Sequence, residues 1–358
     1  MKRVLIIPAL TAGGAERVLS IMANHWAAAG MELTLLTLDD GTAPPFFELH
    51  PGIRHRPLDL LSVSAHPVDA LINNLRRIRV LRQVLREESP DVVISFLDST
   101  NVLTLMASRG LKWPVVVTEH IDPAQYPLKP VWVMLRHWVY PWADRVVVLT
   151  ERALEYFPPS LRPRCRVLPN PVPALGAKSS GGAQRLLAMG RLVEQKGFDI
   201  LLEAFARLYE DFPDWTLTVI GDGPQSYALR GLAERLGISQ RVLWPGVVQH
   251  AETVLLEADV FVLSSRYEGF PMALCEAMAA GLAVVAADCP TGPGEIIQHD
   301  VNGWLVAADN PEALATGLRH LMRSSAERQR LGRAASEITN RYGVNTVMAQ
   351  WEHLLGEL

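Results

Sequence analysis

The chain has 358 residues, 49% of them hydrophobic and 20% charged, and a net charge of −4. That length suits two α/β domains of ordinary size, and no apolar run reaches the roughly 18–20 residues that cross a bilayer. Three widely spaced cysteines (Cys165, Cys275, Cys289) with no CxxC pair argue against a disulfide framework or zinc site and fit a reducing cytoplasm. The charge divides as +3 over residues 1–172 and −7 over the rest, which argues against general nucleic-acid binding.

Short Val/Ile/Leu runs alternate with helical patterns from end to end, the mark of parallel sheets with crossover helices. The opening Met1-Lys2-Arg3-Val4-Leu5-Ile6-Ile7 is too short for a secretory apolar region and reads as a first strand, Arg3–Pro8. Gly13-Gly14-Ala15-Glu16-Arg17 then opens a helix; the glycines leave the backbone open to a ligand, or form a plain tight turn. Further strands are expected at Glu32–Thr37, Asp91–Ser95, Pro114–Thr118 and Arg145–Leu149. The helix Leu71–Glu87 places Arg76, Arg79, Arg82 and Arg86 within roughly 120° of arc, beside an apolar stripe of Leu71, Leu75, Ile78, Leu81 and Leu85. Such a helix can lie on an anionic membrane, or simply pack on its own sheet. Asp98 and His120 both follow strands: Asp98 can guide an acceptor or cap a helix, and His120 can contact substrate or serve structure. Tyr126, Trp132, Trp138, Tyr140 and Trp142 gather with Lys129, Arg136 and His137, a composition that suits a membrane interface or a core.

Residues 173–182, rich in Pro, Gly and Ser, read as a linker between domains at 1–172 and 183–341, with a helical tail at 342–358 that packs back on the first. Strands are expected at Arg185–Met189, Thr216–Ile220, Val242–Trp244, Val260–Leu263, Ala283–Ala286 and Trp304–Val306. The fold class is α/β: two Rossmann-like, doubly wound parallel-sheet domains with a ligand cleft between their strand carboxyl ends.

In the second half, Arg191 and Lys196 stand between a strand and a helix, as cations on a diphosphate would or as a solvated loop pair. Fixed cations there stabilise the charge that a departing nucleotide gains, and they can replace a divalent metal. After Val260–Leu263, the loop Ser264–Phe270 leads into a helix with Pro271 at its first position and Gly281 ending it. Its amino end suits a phosphate. Glu268 and Glu276 suit vicinal diols as hydrogen-bond acceptors, although Glu276 also reads as a solvated helix residue. Thr291-Gly292-Pro293-Gly294-Glu295 sits at another strand-to-helix turn and shapes the pocket or forms a simple loop.

Glu268-Gly269-Phe270-Pro271 through Glu276, with Ala279-Ala280-Gly281, closely resembles the EX7E signature of the family-4 retaining glycosyltransferases of GT-B fold. Gly190-Arg191 through Lys196-Gly197-Phe198-Asp199 is similar to that family's phosphate loop, and Gly13-Gly14, Pro169-Asn170-Pro171 and Gly221-Asp222-Gly223-Pro224 match in the same order. The resemblance implies an acceptor-binding first domain and a donor-binding second. It places Glu276 on the ribose, Glu268 on the donor sugar, and Gly269, Phe270, Pro271 and Leu274 around sugar and phosphates. It also places His120 on the sugar and Val248 near the base, where core packing is the alternative. No cofactor or metal is implied; a nucleotide diphosphate sugar, UDP favoured, is the donor.

Ile94–Asn101 followed by Thr118-Glu119-His120 looks like a bacterial subgroup that builds surface glycans, including N-acetylgalactosaminyltransferases acting on undecaprenyl-diphosphate-linked sugars. That implies a polyprenyl-linked acceptor, and Arg76, Arg79, Arg82, Arg86, Trp138 and Asp98 become acceptor or membrane candidates at the cytoplasmic face of the membrane. A nucleotide-sugar epimerase, or a retaining glycosyltransferase with a soluble small-molecule acceptor, is the alternative reading. An NAD-dependent oxidoreductase is opposed by the lack of G-x-G-x-x-G.

Overall fold

A computed structural model describes residues 1–61, 66–176 and 182–358. The chain forms two compact units, Met1–Pro171 with Val347–Leu358, and Val172–Thr346. Half of the expected linker, residues 177–181, lies outside the described residues.

Unit 1 runs β1 (Lys2–Ile7), α1 (Gly14–Ala28), β2 (Glu32–Thr37), β3 (Ile53–Pro57), α2 (Pro67–Glu88), β4 (Val92–Phe96), α3 (Asp98–Ser108), β5 (Val115–Thr118), α4 (Pro130–Val139), β6 (Arg145–Val148), α5 (Glu151–Glu155) and β7 (Cys165–Val167). Its seven strands are all parallel, in the order β3-β2-β1-β4-β5-β6-β7. Right-handed crossovers place α1 on one face and α2, α3 and α4 on the other. The β1, β4 and β5 strands are buried on both faces, which is why they read as continuous apolar runs. The sequence pattern missed β3 and β7. Both are edge strands, and Ile53-Arg54-His55-Arg56-Pro57 carries no apolar run because one side meets water.

Unit 2 runs β8 (Arg185–Met189), α6 (Phe198–Ala206), β9 (Thr216–Ile220), α7 (Ser226–Arg235), β10 (Val242–Gly246), α8 (Ala251–Glu257), β11 (Val260–Leu263), α9 (Met272–Ala279), β12 (Ala283–Asp288), α10 (Pro293–Ile296), β13 (Trp304–Ala307), α11 (Pro311–Arg323), α12 (Ser325–Ser336) and α13 (Ile338–Tyr342). The strand order β10-β9-β8-β11-β12-β13, again all parallel, is that of a doubly wound nucleotide-binding sheet.

The last helix, α14 (Val344–Gly356), belongs to unit 1 from Val347 on. Its Trp351 meets the buried Trp26 edge to face at 6.2 Å. Beside them Glu352 takes two hydrogen bonds of 2.7 Å from the buried Arg3 and one of 2.5 Å from Trp26 Nε1. Arg3 thereby holds the Glu352 carboxyl below its ordinary range.

One expectation about the surface is corrected, and one left open is divided between core and solvent. Arg82 does not extend into solvent with its neighbours; its guanidinium donates to the carbonyls of Ala107 (2.7 Å) and Arg109 (2.8 Å) and clamps α2 to the end of α3. Of the aromatic group, Tyr140 and its neighbour Arg136 are buried and Trp132 packs on the core, whereas Trp138 stands in solvent. Among the described residues no helix is long and apolar enough to cross a membrane.

Candidate active site

In unit 2 the strand order reverses between β8 and β11. Open α/β sheets bind ligands at such a point, outside the strand carboxyl ends. The turn after β8 and the loop after β11 therefore meet, although about seventy residues separate them. Arg266 N–H donates to the Gln195 carbonyl at 2.8 Å, Gln195 Nε2 to the Tyr267 carbonyl at 3.0 Å, and Ser264 Oγ to the Lys196 carbonyl at 2.9 Å. Gly197 makes this approach possible. Its φ is +59°, and a Cβ would lie 2.1 Å from the Ser264 carbonyl oxygen.

The result is a single polar cluster. Lys196 Nζ sits 2.6 Å from Glu268 Oε1, and Ser265 Oγ donates to the same oxygen at 2.6 Å. The Thr291 hydroxyl donates to the Glu268 backbone carbonyl, so the loop after β12 braces the loop after β11. Among the described residues Glu268 Oε2 takes no hydrogen bond. Arg191 is exposed and has no partner among them. Ser265 gave no clear sequence signal, because a hydroxyl after a strand is common in any loop, whereas Thr291 lies in the turn read either as shaping the pocket or as a simple loop.

The α9 helix begins one residue later than its sequence suggests. Pro271 is the N-cap, with ψ of 87°, and its carbonyl accepts the Cys275 N–H at 3.1 Å. The N–H groups of Met272, Ala273 and Leu274 then head the helix, outside its hydrogen-bond ladder. Leu274 is core, so only its backbone can meet a ligand. Gly269, Phe270 and Pro271 are buried, and Phe270 packs edge to face on Tyr342 at 5.3 Å. Glu276 is buried within α9 rather than solvated on it. Val248, after β10, is half-buried, and Val247 beside it is exposed, so neither fills the core.

Unit 1 repeats the reversal between β1 and β4. The loop after β1 leads to Gly13, the N-cap of α1, and to Gly14, whose missing side chain would meet nothing within 4 Å. After β4, Leu97 takes a left-handed φ of 73° and sets Asp98 as the first residue of α3. Asp98 makes no cap; its Oδ1 pairs with the buried Arg136 at 3.4 Å. Glu119 is buried beside this pair and accepts the Tyr140 hydroxyl. Burial, and then the nearby Asp98 charge, push its pKa well above the usual carboxylate range. The residues alone gave no sign of that partnership, which depends on β4, β5 and α4 coming together.

The tautomer of His120 follows from its neighbours. Thr118 Oγ1 spends its one proton on the Ser95 carbonyl at 2.9 Å, so the contact of 3.0 Å from His120 Nε2 to that hydroxyl has Nε2 donating. Nδ1 is then a bare acceptor, buried and without a partner among the described residues. The ring stacks on Phe96 at 5.1 Å, and burial pushes its pKa down to about 3. His120 is therefore a neutral acceptor for a ligand hydroxyl, not a cation. A linkage follows. Below the ordinary histidine value of 6.5 the unfolded ring takes up a proton that the folded ring refuses, so stability falls as pH drops from 6.5 towards 3. In urea unfolding from pH 7 to pH 4, His120→Asn should remove up to about 1.4 kcal/mol of this loss per pH unit. An unchanged slope would mean that the ring titrates normally.

Comparison with known proteins places these features in a family. Residues 13–171 match the glycosyl transferase 4-like domain, and residues 177–338 match the glycosyl transferases group 1 domain. A Campylobacter jejuni GalNAc-alpha-(1->4)-GalNAc-alpha-(1->3)-diNAcBac-PP-undecaprenol alpha-1,4-N-acetyl-D-galactosaminyltransferase is 28% identical over 100% of this chain and 99% of its own. An exopolysaccharide phosphotransferase of Streptomyces coelicolor is 38% identical over 84% of this chain, which spans only about a third (32%) of that relative. The crystal structure of Anabaena HepE with UDP-glucose superposes with a TM-score of 0.83 at 22% identity, covering 100% of both chains, a likeness of fold in the GT-B class. With both halves matched in the order that the two sheets follow, the chain is a glycosyltransferase, a 4-like domain followed by a group 1 domain.

Proposed function

We propose that the enzyme is a retaining, metal-independent glycosyltransferase that moves a sugar from a UDP-sugar, N-acetylgalactosamine favoured, to an undecaprenyl-diphosphate-linked glycan. Unit 2 is the donor domain and unit 1 the acceptor domain, working at the inner face of a bacterial cytoplasmic membrane. The observation that carries this reading is the cluster at the β8/β11 reversal: a lysine, a buried glutamate and the amino end of α9, with Arg191, unpartnered among the described residues, in the turn after β8.

Arg191, Lys196 and the free N–H groups of α9 hold the diphosphate, in place of a metal ion. Glu276 takes the ribose hydroxyls and Glu268, through Oε2, a hydroxyl of the sugar. His120 offers Nδ1 to a substrate hydroxyl, and Asp98 orients the acceptor. As the anomeric carbon–oxygen bond breaks, its electron pair passes to the β-phosphate oxygen. The acceptor oxygen bonds to the same face of the sugar, and its proton moves to that phosphate oxygen. Positioning and fixed charge supply the rate. The relative's printed name supports the lipid-linked acceptor, and the UDP-glucose complex of the structural neighbour supports the carrier.

The test is a screen of nucleotide sugars with membrane extract as acceptor, with the product identified by mass and linkage analysis. Acceptor-dependent release of UDP with an α-linked N-acetylhexosamine on a lipid product is expected. Release without acceptor, or a product of inverted configuration, would overturn the reading.

A further inference from the structure

Two helices of unit 1 turn apolar side chains into water. On α4, Leu135, Arg136 and Val139 face inward, whereas Val131, Val133, Met134 and Trp138 are between 39 and 66% exposed. A surface helix ordinarily presents polar residues there. On α2, Val68, Leu71, Ile72 and Leu75 are between 42 and 66% exposed. The same outward face then continues as Arg79 and Arg86, with Arg76 beside it, all exposed. The buried α3 lies between the two helices.

Topology fixes which end of the sheet this face occupies. Each helix leaves the carboxyl end of one strand and returns to the amino end of the next, so its first turns lie at the carboxyl edge. Asp98 and His120 stand at that edge. Along α2 the exposed face is apolar at the carboxyl edge and basic behind it. Ile72 and Arg79 are separated by roughly 10 Å of helix, comparable with the depth of about 5–10 Å that interfacial helices reach. Asp69 is the acidic side chain among the first two turns of α2, and Lys129 stands exposed at the start of α4.

We propose that this rim of unit 1 enters the surface of a bilayer containing anionic lipid. Leu71, Ile72, Val131 and Met134 sink to the acyl boundary; Arg76, Arg79 and Arg86 lie at headgroup depth with Trp138. The gradation from apolar to basic along one helix face matches the order of a leaflet. The surface deepens the lipid-linked reading above, on which it rests, because it brings the acceptor edge of unit 1 to the membrane. It also differs from a basic helix lying flat, since Arg82 is engaged with α3 and the leading turns are apolar.

The test uses the full chain and vesicles of phosphatidylcholine with or without phosphatidylglycerol. Co-sedimentation is expected with phosphatidylglycerol present. It should weaken about tenfold or more in Leu71→Ser/Ile72→Ser/Val131→Ser/Met134→Ser, and again in Arg76→Gln/Arg79→Gln. The serine variant should keep its melting temperature and its transfer to a soluble short-chain acceptor, while transfer to vesicle-embedded acceptor falls. Unchanged vesicle binding by the serine variant would overturn the proposal. So would a dimer of the wild type that this variant dissolves, because the face would then meet a second copy. Vesicle binding is read without any acceptor, so a non-lipid acceptor would defeat the functional reading and leave this result separate.

Discussion

Turnover of the sugar donor should fall about ten-thousand-fold when Arg191 and Lys196 are both replaced by glutamine. Each fixed cation facing a developing phosphate charge contributes on the order of a hundredfold to a thousandfold, and two acting on one diphosphate combine less than additively. The single variants separate rate from stability. Arg191 is exposed and unpartnered among the described residues, so Arg191→Gln should slow the reaction and shift unfolding by no more than about 0.5 kcal/mol. Lys196 lies 2.6 Å from the buried Glu268, so Lys196→Ala should also destabilise the fold, by about 1–3 kcal/mol, through the carboxylate left behind. Steady-state kinetics beside urea unfolding would read both effects. A double variant that kept wild-type turnover would end the case for charge stabilisation by the chain's own cations.

Glu268→Gln should lower kcat/KM by about a hundredfold to a thousandfold, the second largest effect expected. Oε1 already accepts Lys196 Nζ and Ser265 Oγ, so Oε2 is the oxygen left for the sugar hydroxyl in the proposed role. An amide keeps one acceptor but loses the charge that Lys196 balances. The same geometry speaks on mechanism. A carboxylate engaged by two donors at 2.6 Å is a weakened nucleophile, which favours same-face attack over a covalent glycosyl intermediate. Incubation with a slow fluorinated donor followed by intact mass measurement should show no adduct. A sugar bound to Glu268 in the wild type, and lost in Glu268→Gln, would establish double displacement instead.

The sheet interiors were legible in the chain itself. Glu32–Thr37, Arg185–Met189, Thr216–Ile220 and Val260–Leu263 fall where their β-branched and aliphatic runs predict, because a parallel strand buried on both faces has no polar side to interrupt it. The edge strands β3 and β7 were not, since one flank of each meets solvent. The start of α9 moved by one residue because Pro271, lacking an N–H and holding a non-helical ψ, caps the helix instead of entering it.

What the sequence determined was therefore the alternation of strand and helix, the two doubly wound halves, and the residue types gathered after each strand. Those follow from local periodicity and turn chemistry, which act over a few residues. Only the tertiary structure decided which of those residues touch. It joined Lys196 to Glu268 across 72 positions, buried Glu119 beside Asp98 so that its pKa rises, bared Nδ1 of His120 through Thr118 and Ser95, and turned Arg82 from solvent to the end of α3. Strand order sets these meetings, and strand order arises from long-range packing of faces that no short window of the chain contains.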